Sequence, residues 1–328
     1  MPQFHMNIRS EGAAGSCPRC AADAYLTLFQ AEDRLGSSHG RRFHIVECSR
    51  CALIRLDPMP SASEAASFYP DSYWWKPDGS TSGRLAEIYR QLVLIDHAHF
   101  VTRGIDRTGL ILDVGCGGGS LVHALRKRGL KAFGLEPAVG AARSAHQRYG
   151  PHLVCGMLPQ APFRPGTFST ITLCRVLEHV SDPIRLLKGL GRLLKPGGKL
   201  FVQIPNAACW QFLLLGKRWS GLDAPRHRIH FRTADLEEIL EATGFEVLRR
   251  KFFSLRDNPA GLASSLCPGL DPALRHMRGQ SENAGMRMLK DLAFFALVVA
   301  ATPFTLIEAA GAAGSTVMIE TVWRRGAS

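Results

Sequence analysis

The sequence predicts an α/β fold with a doubly wound, mostly parallel sheet. Between residues 84 and 253, short apolar runs alternate with amphipathic segments of helix length, which is typical of stacked βαβ units. Strands are expected at residues 110–114, 132–136, 153–155, 170–173, 200–204 and 245–253, and helices at 120–128, 139–148, 183–194 and 233–242. The Lys-Pro-Gly-Gly segment at 195–198 predicts a helix stop and a turn before the next strand.

Composition limits the classes of protein that fit. The chain has 328 residues, 46% of them apolar, which is enough for one large or two modest domains with a real core. Its net charge of +12 predicts attraction to an anion, such as nucleic acid, a phosphorylated substrate or an acidic membrane surface. The basic residues are scattered and are not gathered with aromatic residues into one stripe, so nucleic acid is disfavoured as a partner.

Changes in residue composition and patterning divide the chain into two domains. Residues 1–75 are rich in cysteine and turns and form a small module with a connector. The connector contains prolines and a cluster of aromatic residues: Phe68, Tyr69, Tyr73, Trp74 and Trp75. Residues 76–328 form the larger domain, with an apolar helical insertion at about 258–314. The β-rich run at 315–323 is interpreted as its closing strand.

A glycine-rich loop directly follows the first strand of the larger domain. The signature contains Asp113, Gly115, Gly117 and Gly119. Glycines allow positive φ and remove Cβ atoms, so the backbone can approach a nucleoside-like ligand closely. Glu136 ends the next strand, where a carboxylate can accept hydrogen bonds from both ribose hydroxyls. The Lys-Ser or Lys-Thr of a phosphate-binding P-loop is absent from the sequence after the loop, which disfavours an NTPase.

Together with later segments, this loop resembles the class I S-adenosylmethionine-dependent methyltransferase family. The segments that continue the resemblance are Leu177-Glu178-His179 with Asp182-Pro183, the run from Leu194 to Leu200, and Pro205-Asn206. The resemblance covers about residues 85–250 and the closing strand. It implies a Rossmann-like sheet with an antiparallel closing strand, and S-adenosylmethionine as the methyl donor.

The resemblance also implies roles for individual residues. Asp113 and the three loop glycines would line the methionine and ribose part of the cofactor, and Glu136 would hold the ribose. Many relatives carry an acidic residue after the third strand, where this chain has Met157 and Leu158. These two side chains are expected to sandwich the adenine ring instead.

Histidines mark the expected acceptor side. His179 follows the fourth strand at the carboxyl edge of the sheet, so it is a candidate base; the alternative is a histidine that only orients a loop. A second tract contains Asp223, Arg226, His227 and His230 and looks like a hallmark of one methyltransferase subfamily, in which it faces the acceptor. Arg226, His227 and His230 are therefore expected to bind or deprotonate the acceptor, unless the tract is a solvated surface turn.

Two Cys-x-x-Cys pairs predict a structural zinc site. Cys17, Cys20, Cys48 and Cys51 can offer four thiolates to a tetrahedral ion if a hairpin with strands at 25–29 and 42–46 brings the pairs together. The module resembles the zinc-ribbon segment that precedes certain methyltransferases. A redox role is the alternative. The odd count of nine cysteines and the absence of a signal-peptide core in this sequence predict a reducing cytoplasm.

The segment at 292–307 is the longest apolar run. It is shorter than the roughly 20 residues of a spanning helix and contains Pro303, so a transmembrane role is disfavoured. Packing in the core or in a dimer is one interpretation, and peripheral contact with a membrane or a lipidic acceptor is the other. The sequence leaves the oligomeric state open.

These observations predict methyl transfer from S-adenosylmethionine to an oxygen or carbon atom of a small-molecule acceptor. A sugar, a lipid-linked metabolite and a quinone-like metabolite are the candidate acceptors. A zinc-dependent nucleic-acid-binding protein or an RNA methyltransferase on the same fold is the alternative, motivated by the charge of +12. A nicotinamide oxidoreductase is disfavoured, because the Glu178-His179 and Arg226-His227 segments have no obvious dehydrogenase role.

Overall fold

A computed structural model describes residues 15–36, 40–69, 81–150, 152–158, 160 and 163–324. The strands are β1 (Tyr25–Gln30), β2 (His44–Cys48), β3 (Ile54–Asp57), β4 (Leu110–Val114), β5 (Lys131–Glu136), β6 (Leu153–Cys155), β7 (Phe168–Cys174), β8 (Leu194–Pro205), β9 (Ile229–His230), β10 (Phe245–Lys251) and β11 (Thr316–Trp323). The helices are α1 (Ala62–Ser67), α2 (Thr81–Thr102), α3 (Ser120–Arg126), α4 (Val139–Tyr149), α5 (Pro183–Leu193), α6 (Trp210–Leu215), α7 (Thr233–Ala242), α8 (Pro259–Leu266), α9 (Pro272–Met277) and α10 (Ala284–Ala310). Tyr73, Trp74 and Trp75 of the aromatic cluster lie outside the described residues.

The larger sheet has seven strands in the spatial order β10-β11-β8-β7-β4-β5-β6. Neighbouring strands from β8 to β6 pair in parallel, and β11 pairs antiparallel with both β8 and β10. The predicted fold class, including the antiparallel closing strand, is confirmed.

Apolar side chains of the central strands point alternately to the two faces of this sheet. Ile111 packs with residues of α2 and α3, whereas the adjacent Leu112 packs with residues of α5 and α7. Helices therefore cover both faces, as parallel strands require. The carboxyl edge of β4, β5, β7 and β8 is left as the place where loops can build a site.

The smaller sheet has the order β1-β2-β3-β9, so its fourth strand comes from the larger domain. Ile54 of β3 pairs with His230 of β9 and Arg55 pairs with Ile229. A shared apolar cluster, which includes Phe43 and Trp219, joins the two parts of the chain. The N-terminal module thus shares backbone pairing and core with the histidine-bearing tract of the larger domain.

The segment at residues 195–198 follows the end of α5 as predicted, but it lies within β8 and not before that strand. Phe168 of β7 already pairs with Leu194, and Thr170 next pairs with Lys199. The Lys-Pro-Gly-Gly segment is therefore an irregularity inside β8, with Gly197 at a φ of 72°. The preceding helix α5 does end at Leu193, within one residue of the prediction.

The apolar insertion also differs from expectation. Helix α10 has 27 residues and continues through Pro303, so it is longer than the apolar run at residues 292–307 from which the prediction was made. By length and composition it is apolar enough to cross a membrane, and only 22% of its most apolar window is buried within the protein. The interpretation that this helix packs in the core of the chain is therefore wrong for most of its length. Its buried residues are Val298, Ala301, Thr305 and Glu308, which lie on one face.

Candidate active site and zinc site

The glycine loop has the backbone geometry that the sequence predicts. Gly115, Gly117 and Gly119 have φ angles of 68°, 51° and 72°, in the left-handed region that favours glycine. A Cβ atom at Gly115 would lie 2.4 Å from Cγ2 of Val176. The loop therefore packs directly against the segment that follows β7.

Two carboxylates lie beside this loop. Asp113 accepts a hydrogen bond of 2.6 Å from Thr172 Oγ1, and burial raises the pKa of Asp113 to about 7. Glu136 accepts hydrogen bonds from the amides of Gly117 at 2.9 Å and Ala138 at 2.8 Å. Burial also raises the pKa of Glu136, and these two amides oppose the shift. The amides fix the Glu136 carboxylate at the end of β5, where each oxygen retains a lone pair for a ribose hydroxyl.

The two residues expected to hold the adenine ring follow β6. Met157 is 59% exposed, and Leu158 is half-buried against the main core. A mobile thioether at the surface and an anchored leucine are compatible with stacking on an aromatic ring. Their contact with adenine stays a prediction.

Two histidines of the expected acceptor side, His179 and His227, lie beside Glu178. A short 3-10 helix at Leu177–His179 follows β7, and its Glu178 carbonyl accepts a hydrogen bond of 2.7 Å from the amide of Arg228. The His227 Nε2 atom lies 3.9 Å from Glu178 Oε1, and the rings of His179 and His227 meet edge to face at 4.7 Å. Two segments that are distant in sequence thus form one cluster.

Burial controls the charge of this cluster. It lowers the pKa of His179 and of His230 to about 4, and it holds the pKa of His227 well below its ordinary value. Burial also raises the pKa of Glu178 to about 7, although the nearby Arg175 opposes that shift. At neutral pH the imidazoles are therefore neutral, with an unprotonated ring nitrogen available on each.

Arg226 lies at the junction of the two sheets. Its guanidinium lies 2.7 Å from Asp223 Oδ1 and 3.4 Å from Asp33 Oδ1, and it donates to the Phe68 carbonyl at 3.3 Å. Although burial opposes the shift, the charge of Arg226 holds the pKa of Asp223 well below its usual range. These contacts position the loop against the N-terminal module, and a direct contact of Arg226 with an acceptor stays a prediction.

Three further polar residues at this edge were not singled out in the sequence. Arg175 has a φ of 61° and lies 3.3 Å from Glu178 and 3.2 Å from Asp257. Asp257 also accepts a hydrogen bond of 2.8 Å from Gln203. Arg175 could have been found in the sequence, because it is a charged residue directly after a buried strand. Asp257 lies at the start of the insertion, where no motif or spacing marks it.

The four predicted cysteines come together in the smaller sheet. Their sulfur atoms all lie within 4.8 Å of one another, and the Cys17–Cys51 and Cys20–Cys48 pairs are 3.5 Å apart. A tetrahedral zinc with bonds of about 2.3 Å requires sulfur separations of roughly 3.8 Å, so the cluster fits this ion. The two knuckles are alike, since the residue that follows each pair, Ala21 or Ala52, has a positive φ of 58° or 59°.

The module reaches the candidate active site directly. The hydroxyl of Tyr69 lies 3.0 Å from Nδ1 of His179. Arg19, inside the first cysteine knuckle, forms ion pairs with Asp235 and Glu238 of α7. The module therefore supports both the histidine cluster and the helix that follows the histidine-bearing tract.

Comparison with known proteins establishes the family. A family model described as a methyltransferase domain matches residues 86–250, which is half of the chain. The chain belongs to this family and is a class I S-adenosylmethionine-dependent methyltransferase. S-adenosylmethionine is accordingly its methyl donor, and the residues around the glycine loop fit that role.

Individual relatives match only part of the chain. It is similar to a ubiquinone biosynthesis O-methyltransferase of Methylococcus capsulatus, with 33% identity over 147 residues that cover 43% of this chain and 60% of that protein. A ubiquinone biosynthesis O-methyltransferase of Xanthomonas euvesicatoria is 30% identical over 168 residues, covering 48% of this chain and 68% of that protein. A solved structure described as a possible histamine N-methyltransferase from Thermotoga maritima has a TM-score of 0.44 and 19% identity, covering 74% of this chain and 97% of that one.

Proposed function

We propose that this enzyme transfers a methyl group from S-adenosylmethionine to a hydroxyl oxygen of a small quinone-like acceptor. The observation that carries the proposal is the cluster of three neutral imidazoles, two of them buried, beside the cofactor loop. Gly115 of that loop packs against Val176, and Glu178 and His179 follow within one turn. The names of the two bacterial relatives support an oxygen atom of a quinone-like molecule as the acceptor.

Methyl transfer requires the protein mainly to position the donor and the acceptor and to remove a proton from the acceptor. When bound, the cofactor supplies a methyl group on a positively charged sulfur. The acceptor oxygen forms a bond to that methyl carbon as the carbon–sulfur bond breaks, and S-adenosylhomocysteine leaves. The hydroxyl proton passes to a neutral imidazole nitrogen and then to water. The protein therefore has to hold the donor at the glycine loop and present a base to the acceptor.

His179 is the foremost candidate for that base, and His227 and His230 are the others. His179 is only half-buried, whereas His227 and His230 are buried, so His179 is the imidazole that an entering molecule reaches first. Arg226 would act by holding the loop that carries His227 and His230. Asp113, Gly115, Gly117, Gly119 and Glu136 would bind the donor, with Met157 and Leu158 on its adenine ring.

A structural zinc ion in the N-terminal module belongs to the same proposal. The four-thiolate cluster is closed by protein ligands, which is typical of structural zinc and not of catalytic zinc. The module then corresponds to the zinc-ribbon segment that the sequence resembles. Zinc would fix β1, β2 and β3, and through β9 it would fix the histidine tract.

Helix α10 supports peripheral contact with a membrane. Its outward face carries large exposed side chains, among them Leu289 at 62%, Phe295 at 59% and Ile307 at 63%. Its other face is held to the protein, since the carboxylate of Glu308 accepts hydrogen bonds from the backbone and side chain of Gln211. A helix bound along its length lies in an interface and does not cross it. The enzyme would work in the cytoplasm, with α10 lying against the membrane. Anionic lipid would attract the chain, whose net charge is +12.

The membrane contact is tested by sedimentation with vesicles. We expect the full chain to bind vesicles that contain phosphatidylglycerol and to bind pure phosphatidylcholine more weakly. The double variant Leu289→Ser, Phe295→Ser should lose most of this binding, whereas Leu248→Ser on β10, also an exposed leucine, should not. Equal binding by all three proteins would contradict a role for α10.

The reaction is tested with a prenylated catechol in detergent micelles as the acceptor. We expect S-adenosylhomocysteine to form together with a catechol mono-methyl ether, which mass spectrometry identifies. His179→Ala should lower turnover by about 100-fold while leaving the affinity for S-adenosylhomocysteine nearly unchanged. Turnover on RNA and not on the catechol would overturn the proposed acceptor class.

A further inference from the structure

The geometry points to a divalent transition-metal site formed by Glu178, His179 and His227. Their candidate ligand atoms, one per residue, all lie within 4.8 Å of one another. This site is separate from the four cysteines and lies at the carboxyl edge of β7. Two imidazoles and one carboxylate are a donor set that suits first-row divalent metals.

A hydrogen bond fixes the tautomer of His227, and the contacts of His179 are compatible with the same tautomer. Nδ1 of His227 lies 2.8 Å from the carbonyl of Gly221, and Nδ1 of His179 lies 3.1 Å from the carbonyl of Arg226. A carbonyl oxygen can only accept, so Nδ1 of His227 carries the hydrogen and the lone pair of that ring is on Nε2. Nδ1 of His179 also lies 3.0 Å from the hydroxyl of Tyr69, which can accept or donate, and the lone pair of His179 is on Nε2 when Nδ1 donates to the carbonyl of Arg226. Metal-binding histidines in proteins are oriented in the same way, by donating the other ring N–H to a carbonyl or carboxylate.

Glu178 supplies the second, independent observation. Its side chain is 1% exposed, and among the described residues neither carboxylate oxygen has a hydrogen-bond partner. Arg175 lies 3.3 Å from Oε1 without forming a hydrogen bond, and the nearest imidazole nitrogen, at 3.9 Å, carries a lone pair. Buried carboxylates are normally hydrogen-bonded or bound to a metal. A cation between the carboxylate and the two Nε2 atoms would satisfy all three acceptors at once.

The dimensions of the cluster are compatible with such an ion. A cation at about 2.1 Å from each donor requires donor separations of roughly 3 to 4 Å. The 3.9 Å between His227 Nε2 and Glu178 Oε1 already falls in that range. Small rotations of the half-buried His179 would close the remaining separations. That half-exposed side would also leave a coordination position open to an entering molecule.

The function of the ion rests on the proposed function. An acceptor hydroxyl that occupies the open position would become more acidic, because the cation stabilises the oxyanion. Its proton would then leave to His230 or to water, and the oxygen would form its bond to the methyl carbon as the carbon–sulfur bond of the donor breaks and S-adenosylhomocysteine leaves. With an ion bound, His179 and His227 would hold it, and His230 would replace His179 as the candidate base for the acceptor proton.

The test is binding of Mn²⁺ to the full chain loaded with only one equivalent of zinc, because excess zinc would compete with Mn²⁺ for imidazole ligands. Binding is followed by electron paramagnetic resonance without any acceptor. We expect about one Mn²⁺ per chain and spin-echo modulation from imidazole nitrogen. Glu178→Gln and His227→Asn should each weaken binding at least about tenfold, whereas His276→Gln, which changes an exposed histidine on α9, should not. Unchanged affinity of the Glu178→Gln variant for S-adenosylhomocysteine would show that its fold is intact.

Two results would overturn the site. One is absence of Mn²⁺ binding, or binding without nitrogen modulation, by the unaltered protein. The other is equal Mn²⁺ affinity in the unaltered protein and both ligand variants, which would make the cluster a structural network. Neither readout uses methyl transfer, so failure of the catechol reaction with intact metal binding would count against the proposed acceptor and not against this site.

Discussion

The proposed cofactor edge and the proposed acceptor edge of the sheet are assembled in different ways. The cofactor edge comes from one continuous stretch, β4 through β5, with Glu136 bonded to the amides of the glycine loop. The acceptor edge joins the end of β7, the loop before β9, Asp257 of the insertion and Tyr69 of the N-terminal module. The difference teaches that the proposed donor site is a local property of the chain, whereas the proposed acceptor site depends on contacts with the smaller sheet.

Removing two of the proposed zinc ligands should affect the two edges most differently. In the double variant Cys20→Ser, Cys48→Ser, we expect the smaller sheet to lose its structure, because a structural zinc site contributes folding free energy directly. Methyl transfer should fall by on the order of 100-fold or more, while affinity for S-adenosylhomocysteine in calorimetry should change by less than about threefold. Cys267→Ser, in the insertion and outside the cluster, is the matched control. Parallel loss of both properties would show that the edges are not independent.

A change in the glycine loop should instead weaken binding of S-adenosylhomocysteine. Gly115→Ala places a Cβ at a φ of 68° and 2.4 Å from Val176, and the backbone conformation alone costs about 1–2 kcal/mol. We expect the dissociation constant for S-adenosylhomocysteine to rise about tenfold or more. Gly118→Ala, whose Cβ would have no atom within 4 Å, should bind nearly as the unaltered protein does. Equal affinities of the two variants would contradict the proposed packing of this loop.

The smallest expected effect is a pH dependence at the acceptor edge. Burial lowers the pKa of His230 to about 4, below its ordinary value of 6.5, so the unfolded chain binds more protons than the folded one between these values. The contribution of neutral His230 to the free energy of unfolding is therefore present above pH 6.5 and is lost as the pH falls from 6.5 towards 4. Between pH 7.5 and 5.5 the unaltered protein should lose about 1 kcal/mol more than His230→Gln, as measured by urea unfolding at both values.

Other titrating groups are shared by the two proteins in that comparison and cancel from the difference. The matched control is His99→Gln, which alters an exposed histidine on α2 and should show the pH dependence of the unaltered protein. An identical loss of stability in His230→Gln and the unaltered protein would mean that His230 is not held neutral by burial.

The contrast between the edges also explains what could be predicted. Strand β4, the glycine loop and Glu136 follow from local patterns, because apolar runs, glycines and a strand-ending acid are recognisable within one short segment. The cysteine pairs are equally local, and their close approach matches the predicted hairpin. The sequence therefore predicted the central sheet, helix α7 to the residue and the close approach of the four cysteines, whereas the binding roles of the glycine loop and Glu136 stay predictions.

The features that escaped prediction depend on contacts between distant segments. Strand β9 has only two residues and no strand pattern of its own, so its pairing with β3 was not visible. Asp257 joins this edge through its contacts with Arg175 and Gln203, which are distant from it in sequence. Helix α10 was expected to be interrupted at Pro303, yet it continues, because packing of its inner face supports the helix on both sides of the proline.

The most direct test of the account is calorimetric titration of the zinc-loaded protein with S-adenosylhomocysteine, alongside the variant Glu136→Gln. We expect micromolar binding by the unaltered protein. The variant should bind more weakly by about 1–3 kcal/mol, because it loses charge-assisted hydrogen bonds to the ribose. Glu246→Gln, an exposed glutamate on β10, should bind as the unaltered protein does. Absence of binding, or equal affinity in the protein and the Glu136→Gln variant, would contradict a donor site at the carboxyl edge of β4 and β5.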